Sequence, residues 1–262
     1  MSSGFLLNYE SESVKIMIII EPEIFNQFPE IKCGFSTKSD QDALPPYHFN
    51  LSGSVEDDPK AVLGRKERFY NFFGLTPSDV ATQHQVHEDS VTVVKRPGLY
   101  PSSDALVTEV AALGLVISSA DCLPVFIYDK KNRVIAGIHS GWRSSEKRIV
   151  RKTIDLLVQK WNSHPDHLYA YFGPSVSAEV YEVGAEVAER FPSKYFIPVK
   201  EKFYLNIPLF NFDILTSYGV PEKNIQVSRL CSYSNQKLLH SYRRDGKVSG
   251  RAVGLIMMKD KI

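Results

Sequence analysis

The 262-residue chain lacks most of what marks the specialised classes. Its three cysteines, Cys33, Cys122 and Cys231, stand 89 and 109 positions apart. An odd number with no compact spacing excludes a disulfide framework and fits a reducing compartment. The longest early apolar run, Ile16 to Ile20, has five residues, far fewer than the roughly 20 that span a bilayer. No basic segment followed by an apolar stretch and a small-residue cleavage site occurs near Met1, so no secretory signal is expected. Net charge is only +1, and no Lys and Arg cluster interleaves with aromatics, so the footprint of a nucleic-acid binder is missing. A cytoplasmic protein with small-molecule partners is the expectation, with neither membrane nor nucleic acid involved. The sequence does not set the oligomeric state.

What is present suits a globular protein: 43% apolar and 23% charged residues support a sizeable core. Residues 1–13 are polar and irregular and read as a flexible N-terminus, and no repeat or linker divides 14–262, which read as one domain. Short β-branched or apolar runs predict strands over 14–20, 32–36, 90–94, 104–108, 115–118, 123–128, 134–138, 168–172, 204–207, 225–228, 238–242 and 252–258. The four between Asp104 and Ile138 have short connections, which predicts antiparallel pairing. Helices are predicted from Asp57-Asp58-Pro59 to a stop at Gly74, over 145–161, over 181–191, and from Pro208 to a cap at Gly219. The mixture points to an α+β fold with more than one sheet layer.

Reactive groups gather where apolar runs end. Cys122 opens one such run, His139 closes the next, and His87 lies on the approach to the strand near Ser90. They are 35 and 17 residues apart in sequence, which suits ligands collected from separate strand ends. Two imidazoles and a thiolate suit Zn²⁺, with an open fourth position for catalysis, and Asp121 is placed to orient a ligand. Copper also accepts His and Cys, although seven histidines without a His-x-His cluster argue against a multicopper site. The same residues suit a cysteine hydrolase, with Cys122 as nucleophile, His139 as base, and Asp121 or Asp104 orienting the ring. A bland alternative for Cys122 is a small buried core residue.

Motifs spread along the chain narrow this choice. They are Gly34-Phe35-Ser36-Thr37, Pro46-Tyr47-His48-Phe49-Asn50-Leu51, Asp57-Asp58-Pro59, Gln85-Val86-His87, Ala120-Asp121-Cys122-Leu123-Pro124-Val125, His139-Ser140-Gly141-Trp142-Arg143, Gly173-Pro174-Ser175, Tyr181-Glu182-Val183-Gly184 and Ser241-Tyr242-Arg243-Arg244-Asp245. In this order the chain resembles the bacterial family once called multicopper or laccase-like polyphenol oxidases and now viewed as purine nucleoside phosphorylases. The resemblance implies one domain of mixed β-sheets sandwiched between helices, a four-layer α/β/β/α arrangement. It implies a catalytic zinc on His87, Cys122 and His139. It further implies phosphorolysis of adenosine, inosine, guanosine and methylthioadenosine, with adenosine deamination as a second activity. Arg65 takes the position of the family's phosphate-binding arginine, and a planar guanidinium suits phosphate oxygens, although Arg65 also fits a solvated helix face. The family's link to cell-wall maturation keeps the cysteine hydrolase in view, beside copper-dependent polyphenol oxidation and a non-enzymatic metal-binding module. Departures from the family pattern are Lys38, Glu88, Ser140, Ser144-Ser145, Ser175 and Ala178. They bear on substrate preference more than on the three proposed ligands.

Overall fold

Alternation along Leu123–Asp129 decides the architecture. Leu123, Val125 and Ile127 pack among helices, whereas Phe126 and Tyr128 face a second sheet, and all five are buried. A strand apolar on both faces needs cover on both. The computed structural model describes residues 17–39, 44–199 and 201–260, so the expected flexible segment 1–13 lies outside the described residues.

Numbered along the chain, the first sheet has the order β1 (Ile19–Ile20), β2 (Ile31–Ser36), β15 (Ala252–Met258), β7 (Gly114–Ser119), β3 (Val80–Gln83), β5 (Gly98–Tyr100). The second runs β14 (Ile225–Val227), β10 (Leu168–Phe172), β8 (Leu123–Asp129), β9 (Val134–Ser140), β6 (Ala105–Thr108), β4 (Val91–Val93). A small third sheet joins β11 (Glu182–Val183), β13 (Lys202–Leu205) and β12 (Phe196–Val199).

Helix α1 (Pro59–Phe72) lays Phe69 and Tyr70 on Val116, Val253 and Leu255 of the first sheet. Its start is well determined: the Asp58 carboxylate accepts from the Lys60 and Ala61 amides, and proline stands at the first helical position, where its missing N–H is no loss. The first and second sheets share Ile117, Ile256, Phe126 and Ile135. The outer face of the second is covered by Ile154 and Leu157 of α3 (Ile149–Trp161) and Leu215 of α5 (Ile207–Ser217). Helix, sheet, sheet, helix is therefore the layer order, in line with the expected α+β class.

The expected antiparallel run between Asp104 and Ile138 holds only in part. The β8 and β9 strands form an antiparallel hairpin and β6 pairs antiparallel with β9, but β7 belongs to the other sheet. From β3 to β8 the chain alternates between sheets at every step, which leaves β3 parallel to both β5 and β7, and β4 parallel to β6. Short connections here hop between layers instead of closing hairpins.

Other corrections have local causes. The helix expected over 145–161 is divided into α2 (Trp142–Glu146) and α3, because Arg148 takes the left-handed conformation at φ +60°. Over 181–191 only Ala185–Ala188 is α-helical (α4), since Glu182 and Val183 pair with Tyr204 and Phe203. The 238–242 segment is not a strand: Leu239 packs on Ile20, Phe35 and Ala252 from a loop, and α6 (Tyr242–Asp245) begins at its end. The first strand is confined to Ile19–Ile20 among the described residues, and β3, β5 and β12 had no counterpart in the sequence reading.

Candidate metal centre

Three of the hops between sheets build the centre. His87 lies on the connection from β3 to β4, Asp104 on that from β5 to β6, and Cys122 on that from β7 to β8. His139 is in β9, opposite Pro124 of β8. The ligand atoms of His87, Cys122 and His139 all lie within 4.8 Å of one another. Cys122 Sγ is 3.9 Å from His87 Nε2, and the two imidazoles meet edge to face with centroids 4.8 Å apart. His139 is buried, Cys122 half-buried and His87 exposed, so the cluster opens to solvent on the His87 side.

Backbone conformation shows how tightly these turns are drawn. His87 has φ +61° and Asp121 φ +94°, values that residues with a Cβ rarely adopt and that gather at functional sites. The Gln85 amide straps the first turn to β7, donating to Ser118 O at 2.8 Å while accepting the Ser118 N–H at 2.8 Å. Gly141, just after β9, lets the chain pass: a Cβ there would stand 3.0 Å from Cys122 Sγ and 3.2 Å from His87 Cδ2.

Of the two acids expected to orient a ring or ligand, Asp104 and not Asp121 supplies the carboxylate. It lies 2.8 Å from His139 Nδ1 and accepts the N–H groups of Val86, His87 and Glu88 at 2.9–3.1 Å. Asp121 instead accepts from the Ser232 hydroxyl at 2.6 Å and the Arg243 N–H at 2.7 Å. Asp104's sequence signal was slight, an acidic residue heading the apolar run Ala105 to Val107.

Electrostatics couple the three side chains. Burial pushes the Cys122 thiol up, but the His139 charge and bonds from both imidazoles outweigh it and bring the thiol down to about 6. Burial likewise disfavours charge on His139, yet the Cys122 thiolate and the Asp104 bond raise it to about 9. Burial would raise Asp104 too, and the bonds from His139 and the loop amides hold it below the usual carboxylate range. Without an ion the neutral-pH pair is a thiolate beside an imidazolium.

A small, solvent-open cleft lies beside Cys122, lined by Trp142, Tyr181, Val176 and Ile207 among others. Guanidiniums stack on its aromatics, Arg143 over Trp142 at 4.3 Å and Arg243 over Tyr181 at 5.0 Å. Both arginines stand in motifs read from the sequence but were given no role there; the Arg243 pairing in particular is set by tertiary packing. Arg65 does not line this cleft. Its guanidinium donates to Asp57 at 2.6 Å and to Asn50 O at 3.3 Å.

Residues 32–259 match the family model described as multi-copper polyphenol oxidoreductase laccase. The chain belongs to this family. A relative from Bacteroides thetaiotaomicron named "Purine nucleoside phosphorylase" is 30% identical over 228 residues, 80% of this chain and 84% of that one. Another relative, "Adenosine deaminase RL5" from an unknown prokaryotic organism, is 29% identical over 220 residues, 77% of this chain and 84% of that one. Among solved structures, the Bacillus licheniformis hypothetical protein YfiH superposes with a TM-score of 0.87 at 27% identity, covering 94% of this chain and 98% of that one. In this chain, then, the three donors meet beside a cleft that Cys122 lines.

Proposed function

We propose that this family member is a zinc-dependent purine nucleoside phosphorylase, acting on adenosine, inosine, guanosine and methylthioadenosine, with adenosine deaminase activity beside it. The convergence of the His87, Cys122 and His139 donor atoms within 4.8 Å carries the reading, and the names of the phosphorylase and deaminase relatives support it. Two nitrogens and a thiolate fit zinc, and three protein donors with a solvent-open side fit a catalytic rather than a structural ion. Among the described residues this is the one group of three or more His, Cys, Asp or Glu that could hold a metal, which weighs against multicopper oxidation.

Bound there, zinc supplies Lewis acidity and favours the deprotonated form of water near neutral pH. The chain's own work is positioning. In phosphorolysis a phosphate oxygen bonds to C1′ as the bond from C1′ to the purine nitrogen breaks, its electron pair leaving with the base, which takes up a proton. Trp142 and Tyr181 wall the cleft and exclude water from the electron-deficient ribose, and Arg143 and Arg243 bring positive charge to its rim. For Arg65 to hold phosphate, its guanidinium exchanges the Asp57 carboxylate for the anion, since both suit the same fork. Among the described residues no helix is long and apolar enough to cross a membrane. A cytoplasmic location belongs to this proposal, and three unpaired cysteines support it.

Purified protein given inosine or adenosine, with and without phosphate, tests the proposal. Phosphate-dependent ribose 1-phosphate, with inosine formed from adenosine, is expected; neither product overturns it. A second prediction concerns protons. At about pH 7.5 Cys122, brought down to about 6, is already a thiolate, whereas His139, raised to about 9, still carries a proton that the ion must displace. Zinc binding therefore releases about one proton from this pair. The pair's share of the release falls toward zero above the His139 value, where only a proton from zinc-bound water is left to give, and rises below the Cys122 value, where the thiol must ionise as well. Titration of zinc into weakly buffered protein with a pH indicator reads this directly, and a release independent of pH contradicts the assignment.

A second reading draws on one observation. Asp104, His139 and Cys122 lie in the order acid, imidazole, thiolate, as in a cysteine hydrolase. That mechanism has no task for His87 beside the sulfur. Turnover that survives zinc removal but is destroyed by thiol alkylation favours it.

A further inference from the structure

Asp104 is fully buried, and each of its carboxylate oxygens has two partners. Oδ1 meets His139 Nδ1 at 2.8 Å and the His87 N–H at 3.1 Å. Oδ2 accepts the Glu88 N–H at 2.9 Å and the Val86 N–H at 3.1 Å. A carboxylate offers about four lone-pair sites, so its capacity is filled. Its own backbone is fixed as well: Asp104 O accepts the His139 N–H at 2.7 Å, and its N–H donates to Ser90 O at 3.1 Å.

The arrangement differs from a simple bond behind one ligand. Three successive amides turn toward one anion, a backbone nest of the kind that usually captures phosphate, filled here by a side chain. The nest forms because His87 adopts φ +61°, and that conformation aims the His87 ring at Cys122. On the other side, a carboxylate at Nδ1 fixes the proton there in the neutral ring and leaves Nε2 of His139 free to coordinate. We propose that Asp104 is the positioning residue for both metal-binding imidazoles, holding His139 through its ring and His87 through its backbone. This role rests on the metal reading of the site.

Two measurements test it. Amide hydrogen exchange on the wild-type protein is independent of any ion: Val86, His87 and Glu88 lie in a solvent-exposed turn, yet their amides should exchange slowly, and faster in Asp104→Asn. Rapid exchange of all three in the wild type overturns the clamp. Co²⁺ titration of zinc-free protein, followed by the thiolate-to-cobalt absorption of Cys122, tests the consequence for binding. Asp104→Asn should weaken Co²⁺ about 10- to 100-fold. It should weaken Co²⁺ again when introduced into His139→Ala, where only the backbone arm to His87 is left, and into His87→Ala, where the ring arm to His139 is left. No further loss in either background overturns the two-handed role. The absence of any cobalt band in the wild type overturns the metal reading instead, and protected amides alongside it identify which statement failed.

Discussion

Replacing Cys122 with alanine is expected to abolish stoichiometric zinc and to slow phosphorolysis by at least about a thousandfold, or roughly 4 kcal/mol of transition-state stabilisation. The thiolate is the one anionic donor among the three, so its loss leaves two imidazoles without the charge that neutralises the ion. The fold should survive, because the backbone contact at this turn is independent of the sulfur: the Ser119 hydroxyl donates to Cys122 O. Metal analysis by mass spectrometry, a nucleoside assay and a melting curve separate these effects. Wild-type zinc content with wild-type turnover would sink the assignment of Cys122 as ligand. Retained zinc with lost turnover would point to the cysteine hydrolase.

The largest effect on stability is expected between the two main sheets. Phe126 is fully excluded from solvent and stacks on Tyr171 across an interplanar angle of 16°. Truncating it to alanine should cost about 3–5 kcal/mol through lost burial and the cavity left behind. Each kcal/mol corresponds to roughly 2–4 °C in Tm for a domain of this size. Gly254 lies directly against that ring: a Cβ there would be 2.4 Å from Phe126 Cζ. Gly254→Ala alone should therefore destabilise by about 1–3 kcal/mol through overpacking. Combined with Phe126→Ala the added methyl has room, so the double variant should lose less than the sum of the single losses. Denaturant unfolding of the four proteins measures that coupling, and strict additivity would refute the clash.

These cases also show what the sequence could convey. The double-sided apolar pattern of Leu123 to Tyr128 identifies a buried strand, and Asp58-Pro59 marks a helix start, because both signals are local. Which sheet a strand joins is not local: Leu115 to Ser118 reads the same whether its neighbour in space is Leu123 to Tyr128 or, as found, Ala252 to Ile256. The break at Arg148 carried no glycine or proline to announce it, and the polar run Ser144 to Arg148 reads like an ordinary first turn of α3. At the centre, residue types suited to a metal were legible at His87, Cys122 and His139. Their supporting carboxylate was legible only as a choice between Asp121 and Asp104, since Asp121 is adjacent to Cys122 in sequence while Asp104 reaches His139 through the sheet pairing of β6 with β9. The partner of Arg65 was hidden for a different reason. Asp57 lies two turns before it in the chain, but only the capped start of α1 brings that carboxylate under the guanidinium.

His87, Asp104 and Cys122 all stand on connections that cross from one sheet to the other, while His139 is embedded in a strand. The spacing of the donors is thus a gauge of how the two layers sit against each other, about 10 Å apart in stacked sheets. Cys122 and His139 move together, one just before β8 and the other in its hairpin partner β9. Sliding one layer along the other therefore pulls on the His87 turn, which Gln85 straps to Ser118 of the first sheet, and an ion held by all three would resist that shear as a rivet resists slip between plates. Mechanical resistance of the sandwich and chemical competence of the cleft are then two readings of one alignment.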